Sequence, residues 1–456
     1  MTMRLKQNLW MKVLAGLIVL GLSVTGCGTQ APVKPSEPVK QSGPVTLTFW
    51  HSMGGGPAKT LTALVDKYNA EQKGIQVNLV YQGSYDDAFN KLKASPDQGP
   101  DLFQVYDIGT RYMIDAGLAT PMQDFIDKDN YDVSNFEAHV LNYYKVKDKL
   151  YSMPFNASMP VLYYNKTMFK AAGLNPEQPP TTWDEVEKDA KVLTKKTGDQ
   201  TVYGFSQAIY GWFFEQEMAR NGAPYVNNGN GRDSAATASL VNSQTGVDIL
   251  TEWKKLVDEG VATNLGRKTA DTQKAFGAKQ IAMTIDSSGI LPNLTTAAAG
   301  SFDIGIAPLP KSGNVTDSGP IIGGGSFWIM KNKPKTQQEA AWSFVKWAMA
   351  PSQVAMWTVG TGYLPINKAA AQQDTFKEFI KKYPSYQVVL DQLHDTPENR
   401  VTQGARIGVF PQARATVETA IEQAVLNKAT AKEALDAANK KITESILEYN
   451  QTMGIK

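Results

Sequence analysis

The stretch at residues 154–174, PFNASMPVLYYNKTMFKAAGL, places the strongest constraint on how this chain folds. Its two prolines fix φ and remove backbone N–H donors, which predicts an extended and poorly paired segment. The apolar run at 161–164 is short and β-favouring, so it predicts a strand, and a helix is expected from near Asn165 to Gly173. Because α/β patterns lie on both sides of this stretch, we interpret it as a crossing between two lobes.

The segment before the crossing alternates strand and helix patterns. The predicted elements are strands at 45–50, 75–81 and 101–106, with helices through 61–68 and 84–93. This order predicts a parallel α/β unit, whose ligand crevice lies at the carboxyl ends of the strands. Those ends carry His51, Tyr85 and Asp107, which makes them candidates for a site.

A second α/β region follows the crossing. The predicted elements are strands at 161–164, 203–206, 281–285 and 302–306, a further strand from 321, and helices from 182, at 244–258, 270–278 and 336–349. The Pro308-Leu309-Pro310 break predicts a return crossing, and the C-terminal third reads as helices. We therefore expect one lobe from 45–153 plus 308–350 and another from 154–307 plus 351–456.

The N-terminus has the pattern of an export signal. Three cations precede an apolar segment at 13–24, which is too short to span a membrane as a stable helix and is followed by Thr25-Gly26-Cys27. The end of this segment resembles a bacterial lipobox, which implies a signal peptide at 1–26 and a lipid on Cys27. A Pro-rich tether would then occupy 27–44, and the protein would be anchored at the outer face of the cytoplasmic membrane. The alternative is an ordinary signal peptide with a chance cysteine.

Composition excludes several functional classes. Cys27 is the only cysteine, so a disulfide framework and a redox pair are excluded. Without the cations of the first 26 residues, 43 basic residues face 44 acidic ones, which argues against a nucleic-acid partner. The three histidines lack metal-ligand spacing, and no Walker or GxSxG motif is present. We therefore expect neither a metal nor a cofactor, and we interpret His51 as a structural histidine rather than a base.

Aromatic residues cluster beside predicted loops. Strand-end aromatics suit a small ligand held in a cleft, although core packing explains most aromatic residues in proteins. A secreted glycosidase is the enzyme alternative, and it needs two facing carboxylates. Asp107 and Asp286 could be proposed for that role, but nothing in the sequence places them opposite each other.

Several motifs resemble a known family of receptors. They are FWHSMGG, QVYDIGTRYM, PFNASMPVLYYNK, AMTIDSSG, IIGGGSFW, TGYLPI and TQGARIGVFPQAR. In this order, over about residues 46–450, they resemble extracellular solute-binding proteins of the maltose-binding type, which feed ABC importers. Within that family they are most similar to the glycerol-3-phosphate/glycerophosphodiester-binding receptors of Ugp importers.

The resemblance implies a two-lobed periplasmic-binding-protein fold (type II, Venus flytrap) that closes on its ligand at a hinge. It implies a monomer without catalysis or cofactor, which captures sn-glycerol-3-phosphate or a glycerophosphodiester and delivers it to a membrane permease. An oligosaccharide receptor of the same superfamily is the alternative.

The resemblance also implies a set of ligand contacts. Carried over by motif, they are Tyr85, Ser158, Ser287, Gly324, Tyr363 and Arg406. Asp107 takes the place of the family's glutamate, and Trp212 keeps the second position of an aromatic pair. Arg406 is expected to hold the phosphate, so that Arg406→Ala weakens binding by about 2–4 kcal/mol.

Overall fold

The strands of this protein form two large sheets and one small hairpin in the computed structural model, which describes residues 43–313 and 315–455. The strands are β1 Val45–His51, β2 Ile75–Tyr81, β3 Leu102–Tyr106, β4 Ala119–Thr120, β5 Lys145–Val146, β6 Lys149–Leu150, β7 Met153–Pro154, β8 Pro160–Asn165, β9 Lys195–Thr197, β10 Gln200–Ser206, β11 Ile281–Ser287, β12 Ile304–Pro308 and β13 Gly325–Met330. The predicted signal peptide, Cys27 and nearly all of the tether lie outside the described residues.

Helices cover the sheets and make up most of the C-terminal third. They are α1 Gly55–Glu71, α2 Tyr85–Ala94, α3 Thr110–Asp115, α4 Met122–Asp129, α5 Ala138–Tyr144, α6 Lys166–Ala171, α7 Trp183–Leu193, α8 Gly211–Arg220, α9 Asn227–Gly231, α10 Gln244–Asp258, α11 Thr269–Gly277, α12 Leu291–Ala298, α13 Lys335–Ala348, α14 Pro351–Thr361, α15 Asp374–Lys382, α16 Gln387–Asp395, α17 Phe410–Val425 and α18 Ala431–Thr452. The short α9 is a turn with left-handed φ at its three central residues. No helix within the described residues is long and apolar enough to cross a membrane.

The first sheet has the order β2-β1-β3-β13-β4, with β7 also paired to β13. β1 runs parallel to both β2 and β3, which confirms the parallel unit predicted from the strand–helix alternation. β13 returns antiparallel to β3. The carboxyl ends of the three parallel strands therefore meet at one edge of this sheet.

The second sheet has the order β12-β8-β11-β10-β9. Only β10 and β11 are parallel, while β8 lies antiparallel to both β11 and β12. The chain passes from the first sheet to the second between Pro154 and Pro160, and returns between Pro308 and Gly325. Both passages coincide with proline-rich segments, where missing N–H donors favour leaving a sheet.

One buried side chain connects the two passages. Gln392 of α16 accepts a hydrogen bond from the Leu309 amide at 2.8 Å and donates one to the Pro160 carbonyl at 2.8 Å. Its own side chain is 6% exposed. The side-chain amide of Gln392 therefore links the first passage to the second.

Helix starts follow local capping rules. The Thr182 side chain accepts from the Glu185 amide while the Glu185 carboxylate reaches back to the Thr182 amide, and Thr430 with Glu433 does the same. Both boxes are predicted by S/T-x-x-E spacing and are confirmed. Ser84 and Asp87 form a third box at the start of α2, which fixes the orientation of that helix beyond β2.

The placement of α14 differs from the expected lobe assignment. The sequence gives residues 351–456 to the second lobe, whereas Thr60 of α1 donates a hydrogen bond to Gly360 of α14 at 3.2 Å. Only two residues separate α13 from α14, so α14 stays beside the first sheet that α13 covers. The lobe boundaries stay a prediction, but α14 packs against α1 of the first lobe, whereas the sequence assigned it to the second lobe.

Helix α8 carries an acidic group in an apolar setting. Glu217 is 2% exposed, and burial raises the pKa of its carboxyl to about 8. Its one side-chain partner is Gln207, whose amide lies 3.4 Å away. The folded protein therefore favours the protonated form of Glu217, unlike the unfolded chain.

Substitution Glu217→Gln is expected to flatten the pH dependence of stability. Because the folded-state pKa is raised, the folded state binds more protons between about pH 4.5 and 8, so wild-type stability falls as pH rises through that window. The variant should match wild type near pH 5 and exceed it by roughly 1–3 kcal/mol at pH 8.5. Urea unfolding at both pH values measures this difference. Equal stability of the two proteins at pH 8.5 would show that Glu217 is not protonated in the fold.

Candidate ligand-binding site

A cavity of about 110 Å³ lies where elements of the two sheets meet. It is lined by Tyr85, Tyr106, Asp107, Ser158, Tyr210, Trp212, Ser287, Gly324, Tyr363 and Arg414. A void needs at least about 10–15 Å³ to hold one water, so this cavity is well above the size of a single-water void. This volume suits a small polar molecule.

The fold places these side chains by the ends of strands. Asp107 directly follows β3, Ser287 ends β11, and Gly324 directly precedes β13. Ser158 lies on the first passage between the sheets, and Tyr85 begins α2 beyond β2. Residues from both sheets therefore contribute to one cavity, as expected of a ligand crevice at carboxyl ends of strands.

Seven of the eight residues singled out from the sequence meet at this cavity. They are Tyr85, Asp107, Ser158, Trp212, Ser287, Gly324 and Tyr363. Their contact with a ligand stays a prediction. Sequence reasoning missed Arg414, which also lines the cavity. It left open whether Tyr210 and Trp212 face the cleft or the core, and the structure places both side chains at the cavity.

Arg406 does not reach the cavity, which corrects its expected place in the site. Its Nη1 donates to the Lys145 carbonyl at 3.2 Å, and its Nη2 donates to the Arg232 carbonyl at 3.1 Å. Arg406 lies on the loop before α17, whereas Arg414 lies one turn inside that helix and projects into the cavity. Both arginines occur in the motif TQGARIGVFPQAR, so the motif alone cannot choose between them.

A helical pattern in the sequence could have identified Arg414. Pro411 marks the first turn of a helix, and residues 410, 417 and 421 then form its apolar face. Arg414 lies on the same face, where a charged side chain is costly unless it has a partner or a function. Arg414 is 5% exposed in the structure.

Arg414 is the centre of a buried charge cluster. Its Nε and Nη2 each donate to one carboxylate oxygen of Glu215 at 2.7 Å, a bidentate pair. Its Nη2 also lies 3.9 Å from Oδ1 of Asp107, and its Nη1 donates to the Tyr210 hydroxyl at 3.3 Å. Two of the five guanidinium N–H groups have no hydrogen bond to the described residues, so they are free for a ligand.

Burial and charge act against each other in this cluster. Burial raises the pKa of Asp107 and Glu215, and the Arg414 guanidinium opposes that rise in both. The nearby carboxylates favour the charged form of Arg414 and hold its pKa well above the usual value, despite burial. Arg414 therefore stays a full positive charge beside the cavity.

Two further donors face the cavity without a partner. The Trp212 indole Nε1 is buried and has no hydrogen-bond partner among the described residues. The backbone amide of Gly324 also donates to none of them, although its carbonyl accepts from the Asp107 amide at 2.9 Å. An unpaired buried donor such as the indole N–H is costly, so it indicates a place where an acceptor binds, and the half-buried Gly324 amide offers a second donor there.

Two adjacent glycines allow the walls of the cavity to approach each other. A Cβ at Gly323 would lie 2.5 Å from the Trp212 ring. Gly324 has φ +106°, and a Cβ there would lie 1.9 Å from the Asn156 carbonyl oxygen. The Gly-rich run at 323–325 therefore brings backbone donors close to the indole and to the first passage between the sheets.

Aromatic rings form the rest of the wall. Tyr85 stacks on Tyr106 with ring centroids 5.4 Å apart, and its hydroxyl accepts a hydrogen bond from the Asn156 amide at 2.8 Å. Tyr363 stacks on Trp357 at 5.7 Å. Burial raises the pKa of Tyr85 and Tyr363, so both hydroxyls remain protonated donors.

The other candidates from the sequence lie elsewhere. His51 is buried beside Phe49, its Nδ1 accepts from the Met53 amide at 3.3 Å, and burial lowers its pKa to about 4. Asp286 bonds the Ser287 amide at 2.7 Å and the Gln273 side chain at 3.0 Å, and does not line the cavity. Within the described residues, no group of three or more His, Cys, Asp or Glu residues could hold a metal ion.

Comparisons with known proteins agree with this architecture. Residues 63–387 match the model of the bacterial extracellular solute-binding protein family. The sn-glycerol-3-phosphate-binding periplasmic protein UgpB of Pectobacterium atrosepticum is 33% identical over 414 residues, which is 89% of this chain and 92% of that protein. The relative of the same name from Escherichia coli K12 is 33% identical over 400 residues, 86% of this chain and 90% of that protein.

Solved structures show the same fold. UgpB from Mycobacterium tuberculosis in complex with glycerophosphocholine has a TM-score of 0.76 at 21% identity, covering 90% of this chain and 99% of that one. The cyclic alpha-maltosyl-1,6-maltose binding protein from Arthrobacter globiformis has a TM-score of 0.69 at 26% identity, covering 89% and 99%. These neighbours are two-domain solute-binding proteins, so the expected fold class is confirmed.

Proposed function

Because this chain belongs to the bacterial extracellular solute-binding proteins, which deliver small molecules to ABC importers, we propose that its ligand is a glycerol phosphate. The ligand is sn-glycerol-3-phosphate or a glycerophosphodiester such as glycerophosphocholine. The protein closes on this ligand by a hinge motion and delivers it to the membrane permease as a monomer. At the level of the family the relatives are binding proteins, not enzymes.

The observation that carries this proposal is the set of donors around one small cavity. The buried Arg414 guanidinium, the Trp212 indole N–H and the Gly324 amide all have hydrogen-bonding capacity that no described residue uses. Fixed donors and one full charge suit a phosphate, because they need little reorganisation on binding. Asp107 lies on the same wall and can accept from glycerol hydroxyl groups.

An oligosaccharide is the second candidate, since the Arthrobacter globiformis neighbour is a maltosyl-maltose binding protein. Aromatic walls at Tyr85 and Tyr363 would suit a sugar ring. The cavity volume of about 110 Å³ favours the smaller glycerol phosphate, because an oligosaccharide is several times larger. A neutral sugar offers Arg414 hydroxyl acceptors without a charge, whereas a phosphate offers charged acceptors, which form the stronger hydrogen bonds.

A glycosidase has no support from the arrangement of carboxylates. Such an enzyme needs two carboxyl groups on either side of the scissile bond. Asp107 is the only carboxylate among the described residues that line the cavity, and Asp286 is bonded elsewhere.

A ligand-dependent rise in melting temperature tests the ligand class. A ligand that binds only the folded state adds about 2.7 kcal/mol of stability at one hundred times its Kd. We expect sn-glycerol-3-phosphate or glycerophosphocholine at millimolar concentration to raise the melting temperature by a few degrees, roughly 2–4 °C. Maltotriose and inorganic sulfate should leave it unchanged. A rise with maltotriose alone would support the sugar receptor instead.

We also propose that Cys27 anchors the protein. The lipobox-like sequence and the single cysteine support lipidation, and two acyl chains are enough for stable attachment. Cys27→Ser is therefore expected to move the protein from the membrane fraction to the extracytoplasmic soluble fraction. Fractionation of cells expressing either form measures this, and equal membrane association of the variant would contradict the anchor.

A further inference from the structure

A second, larger recess lies beside the cavity. It measures about 450 Å³ and is formed by α2 and by the first turns of α17, with Tyr112 and Tyr449 completing its wall. We call it the α2/α17 groove. Neighbouring residues on the same helices line the two spaces: Tyr85 and Arg414 face the cavity, while Asp86 and Ala415 face the groove.

One hydrogen bond joins the lining of the cavity to the lining of the groove. The Tyr106 hydroxyl donates to Oδ1 of Asp86 at 2.8 Å, and Tyr106 lines the cavity while Asp86 lines the groove. A molecule whose phosphate lies at Arg414 would reach the groove by displacing this hydrogen bond. The cavity itself has about a quarter of the volume of the groove.

The charges along this path have opposite signs. Arg414 is a buried cation in the cavity, and Asp86 is an exposed carboxylate at the near end of the groove. The groove's own cation, Lys93, lies seven residues further along α2, roughly 10 Å from Asp86 along the helix axis. Its ammonium stays over the rings of Phe89 and Tyr112, at 5.4 and 5.7 Å from their centroids.

We propose that the α2/α17 groove is a head-group subsite for glycerophosphodiesters that carry an ammonium group, such as the choline or ethanolamine esters. This rests on the proposed function and deepens it. The phosphate binds Arg414, and the ammonium, a short alkyl chain away, lies against the Asp86 carboxylate. A zwitterionic diester matches this order of charges, whereas sn-glycerol-3-phosphate leaves the groove unused.

Titration calorimetry of the purified protein tests the subsite with three ligands: sn-glycerol-3-phosphate, glycerophosphocholine and the neutral-headed glycerophosphoglycerol. Asp86→Asn should weaken glycerophosphocholine by about fivefold and change the other two ligands by less than about twofold. Ala415→Trp fills the groove and should weaken both diesters by about tenfold or more, with sn-glycerol-3-phosphate unchanged. Ala437→Trp, an exposed alanine on α18 outside the groove, is the matched control and should change nothing.

Different outcomes separate the two proposals. Unchanged diester affinity in both groove variants, or an equal loss for all three ligands, would overturn the subsite. Wild-type binding of sn-glycerol-3-phosphate without either diester would also overturn it while leaving the proposed function intact. Absence of binding for all three ligands by wild type would overturn the proposed function itself.

Discussion

Arg414→Ala is expected to lower the affinity for glycerol phosphates by about 2–4 kcal/mol, which is roughly thirtyfold to a thousandfold. The substitution removes the one full positive charge that lines the cavity among the described residues. It also leaves Glu215, whose two oxygens accept from Arg414 at 2.7 Å, as a buried acid without its partner. Part of the effect is therefore a loss of stability.

The control for this prediction is the arginine of the same motif that lies outside the cavity. Arg406→Ala should keep wild-type affinity within about twofold, because its guanidinium bonds backbone carbonyls of Lys145 and Arg232 and not the cavity. The double variant Arg414→Ala with Glu215→Gln separates binding from stability, since it removes the unpaired acid. Titration calorimetry on all three proteins gives the comparison. A loss of affinity in Arg406→Ala with none in Arg414→Ala would reverse the assignment.

Gly324→Ala is expected to destabilise the protein by about 3 kcal/mol or more and to abolish ligand binding. The φ of +106° strains any residue with a Cβ, and the added carbon would lie 1.9 Å from the Asn156 carbonyl oxygen. The first passage between the sheets must move to relieve this contact, and it carries Ser158 and the Asn156 amide that bonds Tyr85.

A second glycine serves as a control that separates the cost of backbone strain from the cost of the steric clash at Gly324. Gly117 has φ +62° and no atom within 4 Å of its added Cβ, so Gly117→Ala carries the backbone strain alone and should cost about 1 kcal/mol. Urea unfolding of both variants measures the difference. Equal destabilisation by the two substitutions would show that the close approach at Gly324 has no energetic weight.

The sequence was informative where short-range rules apply. Strand and helix patterns over 45–106 predicted the parallel unit, and S/T-x-x-E spacing predicted the caps at Thr182 and Thr430. These features depend on side-chain period and on hydrogen bonds within a few residues. The prolines at 154, 160, 308 and 310, which lack backbone N–H donors, also indicated where the chain leaves a sheet.

Long-range contacts could not be predicted in the same way. Gln392 joins Pro160 and Leu309 across 232 and 83 residues of sequence, and nothing local to any of the three indicates the others. Long-range packing also decides which of Arg406 and Arg414 reaches the cavity. Each lies within one motif, and only the packing of α17 against α8 brings one guanidinium to Glu215 and the cavity.

Titration calorimetry of the wild-type protein shows in one experiment whether this cavity binds a glycerol phosphate. sn-Glycerol-3-phosphate, glycerophosphocholine and maltotriose are titrated in parallel under the same buffer and salt. We expect saturable binding of at least one of the two phosphate ligands with no heat from maltotriose. Saturable binding of maltotriose, with no heat from either phosphate ligand, would instead identify a sugar receptor.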